Sequence, residues 1–151
     1  MMKVQIINGP NLNLLGTREP EIYGTTSFED FFKELQLQHT DIQLFHFQSN
    51  IEGELVNKIQ EVGFDFDGII INAGGYSHTS VAIRDAIKSV TAPAVEVHIS
   101  NVFAREDFRQ KLLIAPVCLG CISGLGLQGY NLAVEYLKVS SINSTFREIV
   151  L

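Results

Sequence analysis

Asp67–Ala73 reads DGIIINA. Three isoleucines stand in a row after a glycine, with no polar residue between them. A strand with one wet face alternates apolar and polar side chains. A continuous β-branched run belongs to a strand buried on both faces, and such strands occur in parallel sheets covered by helices. The run ends at Asn72, and the pair Gly74–Gly75 follows.

Working outward, the same alternation of elements recurs. KVQII (Lys3–Ile7), IQLFHFQ (Ile42–Gln48), AVEVHIS (Ala94–Ser100) and VCLGCIS (Val117–Ser123) are four more expected strands. Helical patterns lie between them. Phe28, Phe31, Phe32 and Leu35 fall at helical spacing after Ser27, with Ser27 and Asp30 as a cap. Ser49 and Glu52 form a capping-box pattern before IEGELVNKIQEVG, with Gly63 as its stop. Ser77 or Thr79 starts a helix through VAIRDAIKSV, Glu106–Leu113 is a short helix, and LQGYNLAVEYLKV is the last. Five successive βα units imply an α/β, doubly wound parallel sheet with helices on both faces. At 151 residues and 46% hydrophobic, the chain suits one domain, 1–151, with one sizeable core. The tail from Ser140 to Leu151 either frays or packs on a neighbouring subunit.

The net charge of −6 makes nonspecific nucleic-acid binding a poor reading. An acidic chain still binds a small anion if its few cations are gathered locally. Cys118 and Cys121 have C-x-x-C spacing, but no second pair exists. They read as two buried thiols in a reducing, cytoplasmic compartment. The N-terminus has no secretory pattern, and no apolar run reaches membrane-spanning length.

Open α/β sheets bind ligands beyond the carboxyl ends of their strands. After strand one come Asn8, Asn11, Asn13, Arg18 and Tyr23. Gln48, Ser49 and Asn50 follow strand two, and Asn72, Gly74–Gly75 and His78 follow strand three. His98, Ser100, Asn101, Arg105 and Arg109 follow strand four. Three of the chain's five arginines are therefore at this edge, which points to a small anionic ligand. No G-x-S-x-G elbow or Walker A motif is present. Two histidines without a third ligand do not make a catalytic zinc site. Tyrosine, histidine and arginine surrounded by amides suit acid–base chemistry on an oxygenated carbon skeleton. GLGLQG (Gly124–Gly129) matches a dinucleotide fingerprint, but no strand with a ribose-binding acid follows it, so it reads as close helix–sheet packing.

NGPNLNLLGTREPEIYG (Asn8–Gly24), INAGGYSHTS (Ile71–Ser80) with RDAI, EVHISN (Glu96–Asn101) with AREDFR, and GLGLQGYNLA together resemble type II 3-dehydroquinate dehydratases, from Lys3 to about Leu137. Ala73 stands where many members carry proline, and the cysteines fall in a strand with varied occupants. The resemblance implies a flavodoxin-like fold with strand order 2-1-3-4-5. It implies dehydration of 3-dehydroquinate to 3-dehydroshikimate without metal or organic cofactor, and a homo-oligomer, typically a dodecamer of four trimers. Carried over residue by residue, Tyr23 is the base at C2, activated by Arg18 with Arg105 adding to the field. Asn11, through water, stabilises the enolate. His98 protonates the departing hydroxyl, oriented by Glu96. Asn72 and the amides of Ile99 and Ser100 hold the carboxylate, and His78 and Arg109 hold the ring hydroxyls. Asp85 reaches a neighbouring subunit's site. The long segment after strand one is then a lid bracketed by Gly16 and Gly24.

Singly, these residues have plainer readings. Tyr23 would be a surface aromatic, Arg18 a solvated charge, His98 a core histidine and Asn72 a turn cap. Their concentration at one sheet edge favours the functional reading. His39 and His46 lie in no motif, and Tyr130 reads as packing. The competing class is a non-catalytic flavodoxin-like module for a nucleotide or flavin, which calls for a Ser/Thr/Gly-rich phosphate loop after strand one.

Overall fold

The computed structural model describes residues 1–17 and 19–142, with the backbone alone for Ile22, Tyr23 and Ile142. Five parallel strands form one sheet: β1 (Lys3–Asn8), β2 (Gln43–Gln48), β3 (Gly68–Asn72), β4 (Ala94–His98) and β5 (Gly120–Ser123), in the order β2-β1-β3-β4-β5. This is the flavodoxin-like, doubly wound arrangement expected. The strand that opened the sequence reading sits at its centre. Ile69, Ile70 and Ile71 are all fully buried. Ile70 packs on one face with Phe28, Phe31 and Leu35 of α2 (Phe28–Gln38) and Tyr130, Val134 and Leu137 of α5 (Gln128–Ile142). Ile69 and Ile71 pack on the other with Leu55 and Ile59 of α3 (Glu52–Val62) and Ile83 and Ile87 of α4 (Val81–Ser89). A short helix, α1 (Pro20–Tyr23), lies within the segment expected to be a lid loop.

Ser27 caps α2 by accepting from the Asp30 amide at 3.1 Å, an interaction worth roughly 1 kcal/mol. Two local expectations are corrected, and a third, Gly63 as the stop of α3, holds. The α4 cap is Ser80, accepting from Ile83 N, because the preceding Gly74–His78 is wound into a 3-10 turn. Ser49 bonds to Glu54 and to the Ile51 amide, so the expected box with Glu52 is not formed. Gly63 ends α3 in a right-handed conformation. Glycine is required there by contact, since a Cβ would lie 2.3 Å from Val90 Cγ1.

The last strand is shorter and wetter than its sequence suggests. Val117–Ser123 becomes a 3-10 turn (Ala115–Val117) and a four-residue edge strand with no buried residue. Cys121 is exposed and Cys118 half-buried, so the expectation of two buried thiols fails. An edge strand has a neighbour on one side only, and its apolar composition does not by itself hide it. Likewise Glu106–Leu113 is not a helix; only Asp107–Gln110 forms a 3-10 turn, with no buried residue to anchor more.

Candidate active site

The carboxyl ends of β1, β3 and β4 meet around a cavity of about 120 Å³ lined by Asn11, Leu15, Asn72, His78, His98, Ile99, Ser100, Arg105 and Arg109, among others. The strand register brings these ends level: Asn8 lies beside both Gln48 and Asn72. Gly9 N donates to Asn72 O at 2.7 Å, and a Cβ on Gly9 would lie 2.4 Å from the Ala73 carbonyl oxygen. That close approach turns the chain after β1 across the end of β3. Asn11 then takes a left-handed conformation (φ 70°), its amide donating to Asn50 Oδ1 at 3.0 Å. Asparagine tolerates this region better than most residues.

Asn72 and His98 form the buried wall, with Glu96 behind it; all three are nearly or fully inaccessible. His98 Nε2 and Glu96 Oε1 are 3.1 Å apart, although neither atom meets hydrogen-bond alignment, so the contact is one of proximity and charge. GLGLQG buttresses this wall from below. Gly124 N donates to His98 O and Gly126 N to Ile99 O, while a Cβ on Gly129 would crowd Val97 Cγ1 at 3.2 Å. The packing reading of these glycines holds.

His78 donates from Nδ1 to the Lys111 carbonyl at 2.9 Å, leaving Nε2 as an acceptor. Burial, the largest influence, lowers its pKa below the usual imidazole value, with the Lys111 contact opposing. A neutral His78 leaves Nε2 free to accept a hydrogen bond at the cavity. Its ring stacks toward His98, with centroids 6.1 Å apart.

The cationic rim is less simple than three arginines at one edge. Glu106, which the sequence reading passed over, lies between two of them. Arg109 Nε is 2.7 Å from its Oε2, and Arg105 Nε is 3.8 Å away. Glu106's own backbone amide and Arg109 hold its carboxyl below the usual range. Arg105 Nη1 also donates to Ser100 Oγ at 3.3 Å.

Glu96, His98 and Cys121 place their potential metal-ligating atoms within 4.8 Å of one another. Burial, then the Glu96 charge, push the Cys121 thiol up to about 12. A metal would first have to displace that tightly held proton.

Of the twelve residues singled out in the sequence, eight line the cavity: Asn11, Asn72, His78, His98, Ile99, Ser100, Arg105 and Arg109. Glu96 stands behind them. Arg18 and the side chain of Tyr23 lie outside the described residues. Asp85 is exposed on α4 and does not line this chain's own cavity. Sequence reasoning missed Glu106, and it missed Tyr130, whose hydroxyl bonds both Asn8 and Asn72.

The family described as "Dehydroquinase class II" matches residues 2–138. The chain belongs to the class II dehydroquinase family. A 3-dehydroquinate dehydratase of Fusobacterium nucleatum is 57% identical over 141 residues, covering 90% of this chain and 96% of that protein. One from Nitratiruptor sp. is 56% identical over 150 residues, covering 98% and 93%. The crystal structure of the type II dehydroquinase from Butyrivibrio crossotus superposes with a TM-score of 0.88 at 48% identity, covering 91% of this chain and 97% of that one. The dehydroquinase match contains every cavity residue and stops before the tail. Residues 143–151 of that tail lie outside the described residues.

Proposed function

We propose that this cavity removes water from 3-dehydroquinate by anti elimination through an enolate, with Tyr23 as base and His98 as acid. The overall reaction, 3-dehydroquinate to 3-dehydroshikimate and water in the shikimate pathway, is that of the chain's family and named relatives. The Tyr23 phenolate takes the C2 proton, and the C–H electron pair enters an enolate whose oxygen is held by Asn11 through water. The pair then returns to form the C1–C2 double bond. The C1 hydroxyl leaves with a proton from His98. Arg18 favours the phenolate, since an unperturbed tyrosine with a pKa of ~10 is a poor base at neutral pH. Asn72 with the Ile99 and Ser100 amides takes the carboxylate, and His78 and Arg109 take the ring hydroxyls. Segment 16–24 closes as a lid.

The observation that carries this reading is the convergence of eight residues from three separate segments, at the ends of β1, β3 and β4, on one small cavity. At about 120 Å³ the cavity suits a single ring, well under the roughly 300 Å³ at the lower end of ordinary ligand pockets. That disfavours the nucleotide or flavin module. We further propose one catalytic domain, a cytoplasmic location and a dodecameric assembly of trimers. Asp85, exposed and outside its own cavity, is consistent with a role in a neighbour's site.

The test is absorbance of the conjugated enone on adding 3-dehydroquinate, for the wild type and for Tyr23→Phe. The wild type should turn over. The variant should fold and lose roughly 10²–10⁴-fold in kcat. A variant retaining more than about a tenth of wild-type activity, outside that range, removes Tyr23 as the base. Light scattering that shows an active monomer would remove both the assembly and Asp85 from the account.

A further inference from the structure

Four polar side chains, three of them buried, from three strands and one helix form one hydrogen-bonded line that begins at the cavity-lining Asn72. Asn72 Nδ2 donates to Tyr130 Oη at 2.9 Å, Tyr130 Oη donates to Asn8 Oδ1 at 2.8 Å, and Asn8 Nδ2 is 3.2 Å from His46 Nε2. Asn8, Asn72 and Tyr130 are almost wholly inaccessible. The line has a fixed direction, and one backbone amide sets it. Gly74 N is 3.2 Å from Asn72 Oδ1. A backbone N–H only donates, so the Asn72 oxygen must face Gly74 and its NH₂ must face Tyr130. Tyr130, having accepted, has its single proton left for Asn8 Oδ1. Asn8 then presents its NH₂ to His46, whose Nε2 must carry the lone pair. Burial lowers the His46 pKa to about 4, in keeping with that neutral ring.

We infer that Tyr130 is a positioning residue: with the Asn72 oxygen on the Gly74 amide, the Tyr130 hydroxyl holds the other end of the Asn72 amide, its NH₂, in the orientation that serves an anion. Without the hydroxyl, the 3.2 Å contact from Gly74 N alone holds the amide, and an amide free to rotate can turn its oxygen toward the ligand and repel an anion. The Asn72 NH₂ carries two hydrogens. Tyr130 takes one, which leaves the other for a ligand in the cavity that Asn72 lines. Gly74 is at φ +60°, a conformation that glycine adopts without the cost other residues bear, so the amide that sets the direction is itself held by the turn. This inference rests on the proposal that Asn72 takes the substrate carboxylate.

A double-mutant cycle in steady-state kinetics tests it, with the assembled enzyme and 3-dehydroquinate. Tyr130→Phe should raise KM about tenfold, the loss expected for a misaligned charge-assisted hydrogen bond, and leave kcat within about threefold. In an Asn72→Ala background, Tyr130→Phe should add nothing further, because its effect runs through Asn72. Asn8→Ala removes the acceptor of the Tyr130 proton without altering the aromatic core. It should show the same rise in KM and the same non-additivity, and it carries the test alone if Tyr130→Phe does not fold. A full additional penalty on top of Asn72→Ala, or a loss confined to kcat, overturns the positioning role. If Asn72→Ala itself leaves KM unchanged, the carboxylate assignment is what fails, whatever Tyr130→Phe does.

Discussion

The wall and the rim of the cavity are built on opposite terms. In the wall, Asn72, His98 and Glu96 are buried, and their neighbours include strand backbone and the hydroxyl of a fully buried tyrosine. In the rim, Arg105 and Arg109 share one exposed carboxylate on 3-10 turns that bury none of residues 107–110. A buried polar group is costly unless it is matched; Asn72 has its partners in Tyr130 and the Gly74 amide, while His98 and Glu96 are held against each other by proximity and charge. Exposed ion pairs are weak and screened, so the rim holds charge near the mouth without fixing a geometry. Chemistry that needs a proton at a defined atom belongs to the wall. Attraction of an anion needs only the rim.

The largest effect should therefore come from the wall. His98→Asn retains a polar, though shorter, side chain and removes the proposed acid. It should cost roughly 10²–10⁴-fold in kcat with little change in thermal stability. A variant that keeps near wild-type kcat would move the acid elsewhere and reduce the wall to scaffolding.

An intermediate effect concerns the buried line beneath the wall. The His46 pKa is lowered by desolvation from 6.5 to about 4, with the Glu29 charge opposing. Between those values the unfolded chain binds a proton that the folded chain refuses. Stability is thus fully present above about pH 6.5 and falls as pH drops toward 4. His78, whose pKa is also lowered, pulls the same way. His46→Gln keeps an acceptor for Asn8 and cannot be protonated. Melting temperature measured across this range should fall less steeply for the variant, and parallel curves would place His46 outside the line. The effect is modest because the imidazole remains partly exposed.

The smallest effect belongs to the rim. Glu106→Gln releases Arg105 and Arg109 from their shared carboxylate and should lower KM by about threefold at most at low salt, with no difference at high salt. A change in kcat, or one that persists in salt, would show that the rim fixes geometry after all.

How far the sequence reaches follows the same division. Strand runs, helical spacing and end-of-strand loops depend on local order. They locate the sheet, both of its covered faces and the edge where the site residues gather. Relations through space are harder to read. Tyr130 looked like packing because its partner Asn8 is 122 positions away, and nothing local in GLGLQGY indicates a hydroxyl aimed at strand ends. Glu106 is the exception: it adjoins Arg105 and stands three residues before Arg109, a local spacing that brings the charges together on a helix or a tighter turn. Apolar composition misled at VCLGCIS, because burial of an edge strand depends on what lies beyond the edge.

The central claim is that the proposed acid and base, His98 and Tyr23, remove water through an enolate, without a covalent nitrogen intermediate. An imine route needs a lysine in the site with a lowered pKa. None of the chain's six lysines lines the cavity, and Lys111 meets the site through its carbonyl, bonded to His78. The direct measurement is incubation with 3-dehydroquinate and borohydride, followed by activity and intact mass. The account predicts unchanged mass and surviving activity. A mass increase equal to the reduced adduct, mapped to any lysine, would contradict it.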